Sequence, residues 1–185
     1  MDQHGLAPEW HIAEWLNTPE PIRLVEQRGR VVVACAFQML CPGCVAHAIP
    51  QLKAVYELFA PQDALVVGLH TVFEHHDAMT TTSLRAFLHE NRIHFPVGVD
   101  SPPEDGGAVP MTMQVYQMQG TPTLLLIDHA GRFRRQVFGH LSDLELGAAI
   151  ARTVAEQRLF EFGLFGSVSE SDAARRPRDR LLPQD

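Results

Sequence analysis

Val31-Val32-Val33-Ala34-Cys35-Ala36-Phe37-Gln38-Met39-Leu40-Cys41-Pro42-Gly43-Cys44 is the stretch on which the reading of this chain turns. Val31 to Phe37 is an unbroken apolar run rich in β-branched residues, the pattern of a strand buried on both faces. Pro42 suits a first helical position, where a missing N–H leaves no bond unmade. The helix it opens is expected to run toward Phe59, kinked or interrupted at Pro50. Two thiols therefore stand two residues apart where a strand hands over to a helix. Free N–H groups and the dipole of a helix start favour an anion and so lower a thiol pKa. Cys41 takes that position and Cys44 lies one turn further in. Cys41 is the expected nucleophile and Cys44 the expected resolving thiol.

A bare C-x-x-C is also half of many zinc sites. The chain has one other cysteine, Cys35, and no second C-x-x-C. His47, His70, His75 and His76 match no common zinc spacing, so neither a metal nor a cofactor is expected. The N-terminus, Met1-Asp2-Gln3-His4-Gly5, lacks a basic region followed by an apolar core, which predicts a cytoplasmic protein, or a periplasmic one if a leader has been removed. In the cytosol a C-x-x-C is more often catalytic or metal-binding than structural. A net charge of −7 over 185 residues argues against a nucleic-acid surface. No stretch approaches the ~18 apolar residues of a membrane span.

Outward from the thiols, residues 9 to 16 are expected to form a short helix with Trp10, Ala13 and Leu16 inward, and Ile22 to Val25 a short strand. Leu65 to Leu69 reads as a second buried strand. Leu84, Phe87 and Leu88 mark one face of a helix, and Phe95 to Val99 a short strand. Thr123 to Ile127 is a third buried strand, which Asp128 to Gly131 turns into Phe133 to Phe138 as an antiparallel hairpin. Ser142 and Glu145 form a capping box for a last helix carrying Leu144, Ala148, Ile150 and Val154. The predicted organisation is an N-terminal helical extension (1–19), one domain (20–158) and a tail (159–185) whose charged end is disordered. Phe160, Phe162 and Phe165 in that tail suggest docking on the domain or on a partner.

Gly120-Thr121-Pro122-Thr123 precedes the third buried strand, and proline is tolerated at a strand's first position. The strand, the C-x-x-C, the helix and the later Thr121-Pro122 together resemble the thioredoxin superfamily, most closely its TlpA-like branch of thiol-disulfide oxidoreductases, which overlaps the redoxin grouping. Phe95-Pro96-Val97-Gly98-Val99-Asp100 and the run from Thr121 to Asp128 are similar to that branch. Val67-Gly68-Leu69-His70-Thr71 resembles the thioredoxin-like domain of DipZ-type proteins. The match covers roughly residues 20 to 156. It implies an α/β thioredoxin-like three-layer fold, a mixed central sheet flanked by helices. It further implies that Cys41 attacks a disulfide, that Cys44 resolves the mixed disulfide, that Pro122 is a cis-proline facing the pair, and that Thr121 offers backbone hydrogen bonds to a bound peptide.

Four positions depart from the family pattern. Leu40 stands where tryptophan is usual, and Cys35 where thioredoxins bury an acid. His47 stands where TlpA-like proteins often carry glutamate. Pro50 comes six residues after Cys44 in place of five. His47, a turn beyond Cys44, is the candidate proton shuttle; a partly exposed helix histidine is the plainer reading. Cys35 reads as a small buried side chain. Glu74, His75 and His76 follow a strand end, where α/β folds often place site residues, although a solvated loop is the plainer account of them.

The function expected is a thiol-disulfide oxidoreductase, acting as a reductase on protein or small-molecule disulfides and recycled by an unidentified redox partner. The alternatives are a peroxiredoxin-like peroxidase and a non-catalytic binding module. Peroxiredoxins place a threonine three residues before the reactive cysteine and a proline four before that; here those positions are Gln38 and Ala34.

Overall fold

Val31–Phe37 is buried at every position and lies inside a six-stranded sheet. The computed structural model of the chain describes residues 5–161. Its strands are β1 (Ile12–Leu16), β2 (Val31–Phe37), β3 (Ala64–His70), β4 (Val97–Asp100), β5 (Thr123–Ile127) and β6 (Phe133–Phe138), in the spatial order β1-β4-β3-β2-β5-β6. β2, β3 and β4 run parallel, while β1, β5 and β6 pair antiparallel with their neighbours. The helices are α1 (Ile49–Leu58), α2 (Thr81–Glu90), α3 (Met111–Val115) and α4 (Asp143–Glu161). The expected α/β mixed sheet flanked by helices is what the chain forms.

Alternation along β2 divides the core in two. Val33, Cys35 and Phe37 face the layer that holds Leu52, Leu84, Leu146 and Ile150. Val32, Ala34 and Ala36 face Met113, Tyr116 and Trp10. The short α3 was not expected from the sequence. Asp100 holds its start by accepting from the Thr112 and Met113 N–H groups at 2.8 and 3.2 Å, and from Thr71 Oγ1 at 3.2 Å.

Several local expectations change. Residues 9 to 16 are not helical: Ile12–Leu16 is strand β1, an edge strand of the sheet, so the N-terminal segment is no separate helical extension. Trp10 and Leu16 are buried as expected, but Ala13 faces solvent. Pairing of β1 with the edge of β4, Leu16 opposite Val97 and Trp15 opposite Gly98, overrides a helical spacing only three apolar residues long. Ile22 to Val25 is not a strand either. Glu9 accepts from the Leu24 and Val25 N–H groups at 2.6 and 3.2 Å and caps a 3₁₀ turn at Leu24–Gln27. The capping box forms as read, with Glu145 N–H donating to Ser142 Oγ and Ser142 N–H to Glu145 Oε2, each at 3.3 Å. The helix it starts buries Leu146, Ile150 and Val154, whereas Leu144 is 84% exposed and Ala148 faces water. That helix passes the expected domain boundary at 158, and the remainder of the expected tail, with Phe162 and Phe165, lies outside the described residues.

Gly68 shows how tightly β3 sits behind the thiols. A Cβ there would lie 2.9 Å from Phe37 Cε1 and 3.2 Å from both Phe95 and Val97, all buried. Gly68→Ala is expected to lower stability by about 1–3 kcal/mol, as overpacking does. A urea midpoint equal to that of the parent would contradict this.

Candidate active site

The strand-to-helix junction forms as expected, with one local surprise. Cys41 N–H donates to the Gln38 carbonyl at 3.2 Å, closing the turn out of β2, and Val45 N–H donates to the Cys41 carbonyl at 3.1 Å. Cys44–Ala48 then winds as a single wide π-helical turn, in which Ile49 N–H reaches the Cys44 carbonyl five residues back. Pro50 thus sits directly behind the expected interruption of the α-helix, which takes the form of this wide turn. It enters within the first turn of α1, after the wide turn, where the first N–H groups need no intrahelical partner.

All three cysteines are free thiols. Cys41 is half-buried, while Cys44 is 0% exposed. The Cys44 N–H donates to Cys41 Sγ at 3.4 Å, and the Cys41 thiol lies 3.5 Å from the Thr121 carbonyl, to which it donates. The sequence-predicted Thr121 and Pro122 are thus brought against the pair from a segment eighty residues away. The Thr121–Pro122 peptide bond is cis, and Pro122 Cδ lies 3.5 Å from where a Cβ on Gly43 would stand. Gly139 N–H donates to the Pro122 carbonyl at 2.8 Å, tying this loop to the end of β6.

Burial pushes the Cys44 thiol up to about 12, and its hydrogen bond with Cys41 adds to the rise. The Gln38 backbone and the Thr121 side chain act in the opposite sense. Cys35 lies below the pair in the same apolar layer, and burial, then Cys44 and Cys41, push its thiol far above the ordinary range. Cys35 is the small buried side chain expected of it. His47 is exposed, and its ring packs on that of His140 with centroids 5.2 Å apart. Among the described residues no cluster of three or more His, Cys, Asp or Glu side chains is arranged to hold a metal ion.

An open cleft of about 570 Å³ runs beside Cys41, between the segment after β3 and the Gly120–Thr121 loop. Leu40 and Phe138, both largely exposed, supply an apolar rim. Glu74 and His75 also line the cleft, which places two of the three loop residues singled out in the sequence in the same cleft as Cys41. Sequence reading missed Gln38. Its polarity just past an all-apolar strand was the available signal, since such a group is retained in a core only when it is hydrogen-bonded.

Comparison with known proteins follows the same lines. The AhpC/TSA family model matches residues 6–136. The crystal structure of a thioredoxin-like superfamily protein is 55% identical, covers 81% of this chain and 96% of its own, and superposes with a TM-score of 0.79. A thiol-disulfide isomerase from Corynebacterium glutamicum is 42% identical, with 83% and 98% coverage and a TM-score of 0.78. NHL repeat-containing protein 2 of Bos taurus is 30% identical over 155 residues, 81% of this chain. The chain spans about a fifth of the length of the curated relatives it matches.

Proposed function

Because the chain belongs to the AhpC/TSA family, within the thioredoxin-like superfamily, we propose that it is a thiol-disulfide oxidoreductase working through Cys41 and Cys44. The observation that carries this reading is the asymmetry of the pair. A half-buried sulfur at the cleft receives the N–H of a second cysteine that is wholly enclosed. The close solved relative described as a thiol-disulfide isomerase supports it.

The Cys41 thiolate attacks one sulfur of a substrate disulfide. That S–S bond breaks, a Cys41–substrate bond forms, and the departing thiolate takes a proton from water. Cys44, after giving its proton to water, attacks Cys41 Sγ; the second substrate thiol leaves and the pair closes as a disulfide. Two electrons have then passed to the substrate, and an external dithiol returns the pair to the reduced state. In the reduced site the Thr121 carbonyl accepts from the Cys41 thiol. Once Cys41 is in a disulfide that carbonyl is released and can accept from substrate main chain, with Pro122 forming the floor beside it. A proton-shuttle role for His47 rests on its place a turn beyond Cys44. Its ring is exposed and packs on that of His140.

A cytoplasmic reductase acting on protein or small-molecule disulfides is the direction we favour. Membership of the AhpC/TSA family keeps the peroxidase alternative in play. Against it, the Gln38 side chain three residues before Cys41 turns to Phe73 and Glu74 and offers nothing to a peroxide. The non-catalytic alternative predicts no reversible couple. The test is a redox titration of the Cys41–Cys44 pair against glutathione, with turnover of a model disulfide by the parent and by Cys41→Ser. A defined potential and loss of turnover to the rate of free thiol in Cys41→Ser are expected. Equal rates for the two proteins would sink the proposal. Peroxide consumption far above that of free thiol would transfer it to the peroxidase reading.

A further inference from the structure

The two walls of the cleft beside Cys41 differ in chemistry. One is the Gly120–Thr121 main chain with the apolar rim of Leu40 and Phe138. The segment after β3 supplies Phe73, Glu74, His75 and Ala78, with Glu74 the one carboxylate of the lining, and no lysine or arginine lines the cleft among the described residues.

Glu74 is held in place, unlike a free surface carboxylate. Gln38, 1% exposed, directs its whole side-chain amide at this wall. With the amide oriented by its partners, Nε2 donates to Glu74 Oε1 at 3.2 Å and Oε1 accepts from Phe73 N–H at 3.1 Å. Burying an amide is costly unless both halves are bonded, and here both bonds go to the segment beside the nucleophile. The Gln38 carbonyl meanwhile accepts from Cys41 N–H, so one residue ties the thiol turn to the acidic wall. Beyond Glu74 the backbone turns sharply. His75 sits at φ +52, an uncommon conformation for a residue other than glycine, and its carbonyl accepts from Ala78 and Met79 N–H at 3.0 and 3.1 Å. The other polar side chains of the turn, His76 and Asp77, are exposed and do not line the cleft.

We infer that Glu74 selects disulfide substrates that carry a cationic side chain next to the attacked cysteine, while Leu40 and Phe138 receive an apolar neighbour. The substrate class is then a basic, partly apolar peptide segment of a protein disulfide. Glutathione disulfide, anionic on both halves, falls on the disfavoured side. This inference rests on the thiol-disulfide activity proposed above.

The test uses two peptides identical except for Arg or Glu beside the cysteine, each joined by a disulfide to the same chromophoric thiol. The readout is the ratio of their kcat/KM values with the reduced 185-residue chain. An exposed pair at a cleft rim supports a preference for the Arg peptide of about three- to fivefold at low salt, shrinking at high salt. Glu74→Gln is expected to bring the ratio close to one and Glu74→Arg to invert it. A ratio unchanged in Glu74→Gln overturns the inference, including the case where both peptides slow together because Glu74 acts on Cys41 itself. Reaction of either peptide with Cys41→Ser at the parent rate overturns the activity instead, so the two failures are told apart.

Discussion

The Cys44→Ser variant will stall with substrate attached to Cys41. The first exchange needs only the sulfur at the cleft, so one equivalent of substrate thiol is released and a stable mixed disulfide accumulates. In the parent protein the second exchange draws on a thiol whose pKa burial raises above the ordinary range. Its thiolate fraction, and with it the rate of resolution, is expected to rise about tenfold for each pH unit above neutrality for as long as the thiol form predominates. Rapid quench with thiol trapping, followed by mass measurement, reads both effects. A pH-independent second step in the parent would show that Cys44 reaches its thiolate by another route. No carboxylate or imidazole contributes to the Cys44 shift, and Cys35 occupies the strand position beneath. In the mechanism proposed above Cys44 gives its proton to water, and the mixed disulfide is then expected to be the species that accumulates at neutral pH.

Acidification from pH 7 toward pH 4 will remove about 3 kcal/mol of stability through one side chain, His70. His70 is 1% exposed at the end of β3, its ring against Phe37, and neither ring nitrogen has a hydrogen-bond partner among the described residues. Burial lowers its pKa from 6.5 to about 4. The folded state therefore favours the neutral ring. The associated stability is complete above the unfolded value of 6.5 and is lost as the pH falls toward 4. Asp100 acts in the opposite sense lower in the window. Burial raises its pKa above 3.8, so its protonation relieves part of the loss. Urea midpoints between pH 7 and pH 4.5 should fall steeply for the parent. They should be far flatter for His70→Phe, which keeps an aromatic ring against Phe37 without a basic nitrogen. Parallel slopes for the two proteins would remove His70 as the cause.

The central part of this fold was legible because its signals are local. Val31–Phe37 and Thr123–Ile127 are apolar at every position, and Cys41, Pro42 and Cys44 mark a helix start whatever surrounds them. Thr121 and Pro122 could be matched to the thiols only through resemblance, since nothing within eighty intervening residues states that the two segments meet. The errors fall where distant chain decides the outcome. Ile12–Leu16 is a strand because the edge of β4 lies open to it, and Leu24–Gln27 is a 3₁₀ turn because Glu9 caps it. Leu144 belongs to the last helix as expected but is exposed, because the capping box at Ser142 sets the first turn of α4 so that Leu146 faces inward. The acidic wall of the cleft was half visible. Glu74 and His75 stood out, but Gln38, which positions Glu74, acts through an amide whose partners lie in another segment.

The wide turn at Cys44–Ala48 gives one helical rod two rotational settings. A residue added to an α-helix turns everything after it by about 100°. Without that turn Ile49, Leu52 and Val55 would swing off the sheet if the thiols kept their aim. With it, the end carrying the sulfurs and the body carrying the apolar contacts are phased independently. A chain one residue shorter between Cys44 and Pro50 would need no such adjustment. Gain or loss of a residue here therefore changes how the rod is wound and leaves the bearing of both its ends as it was.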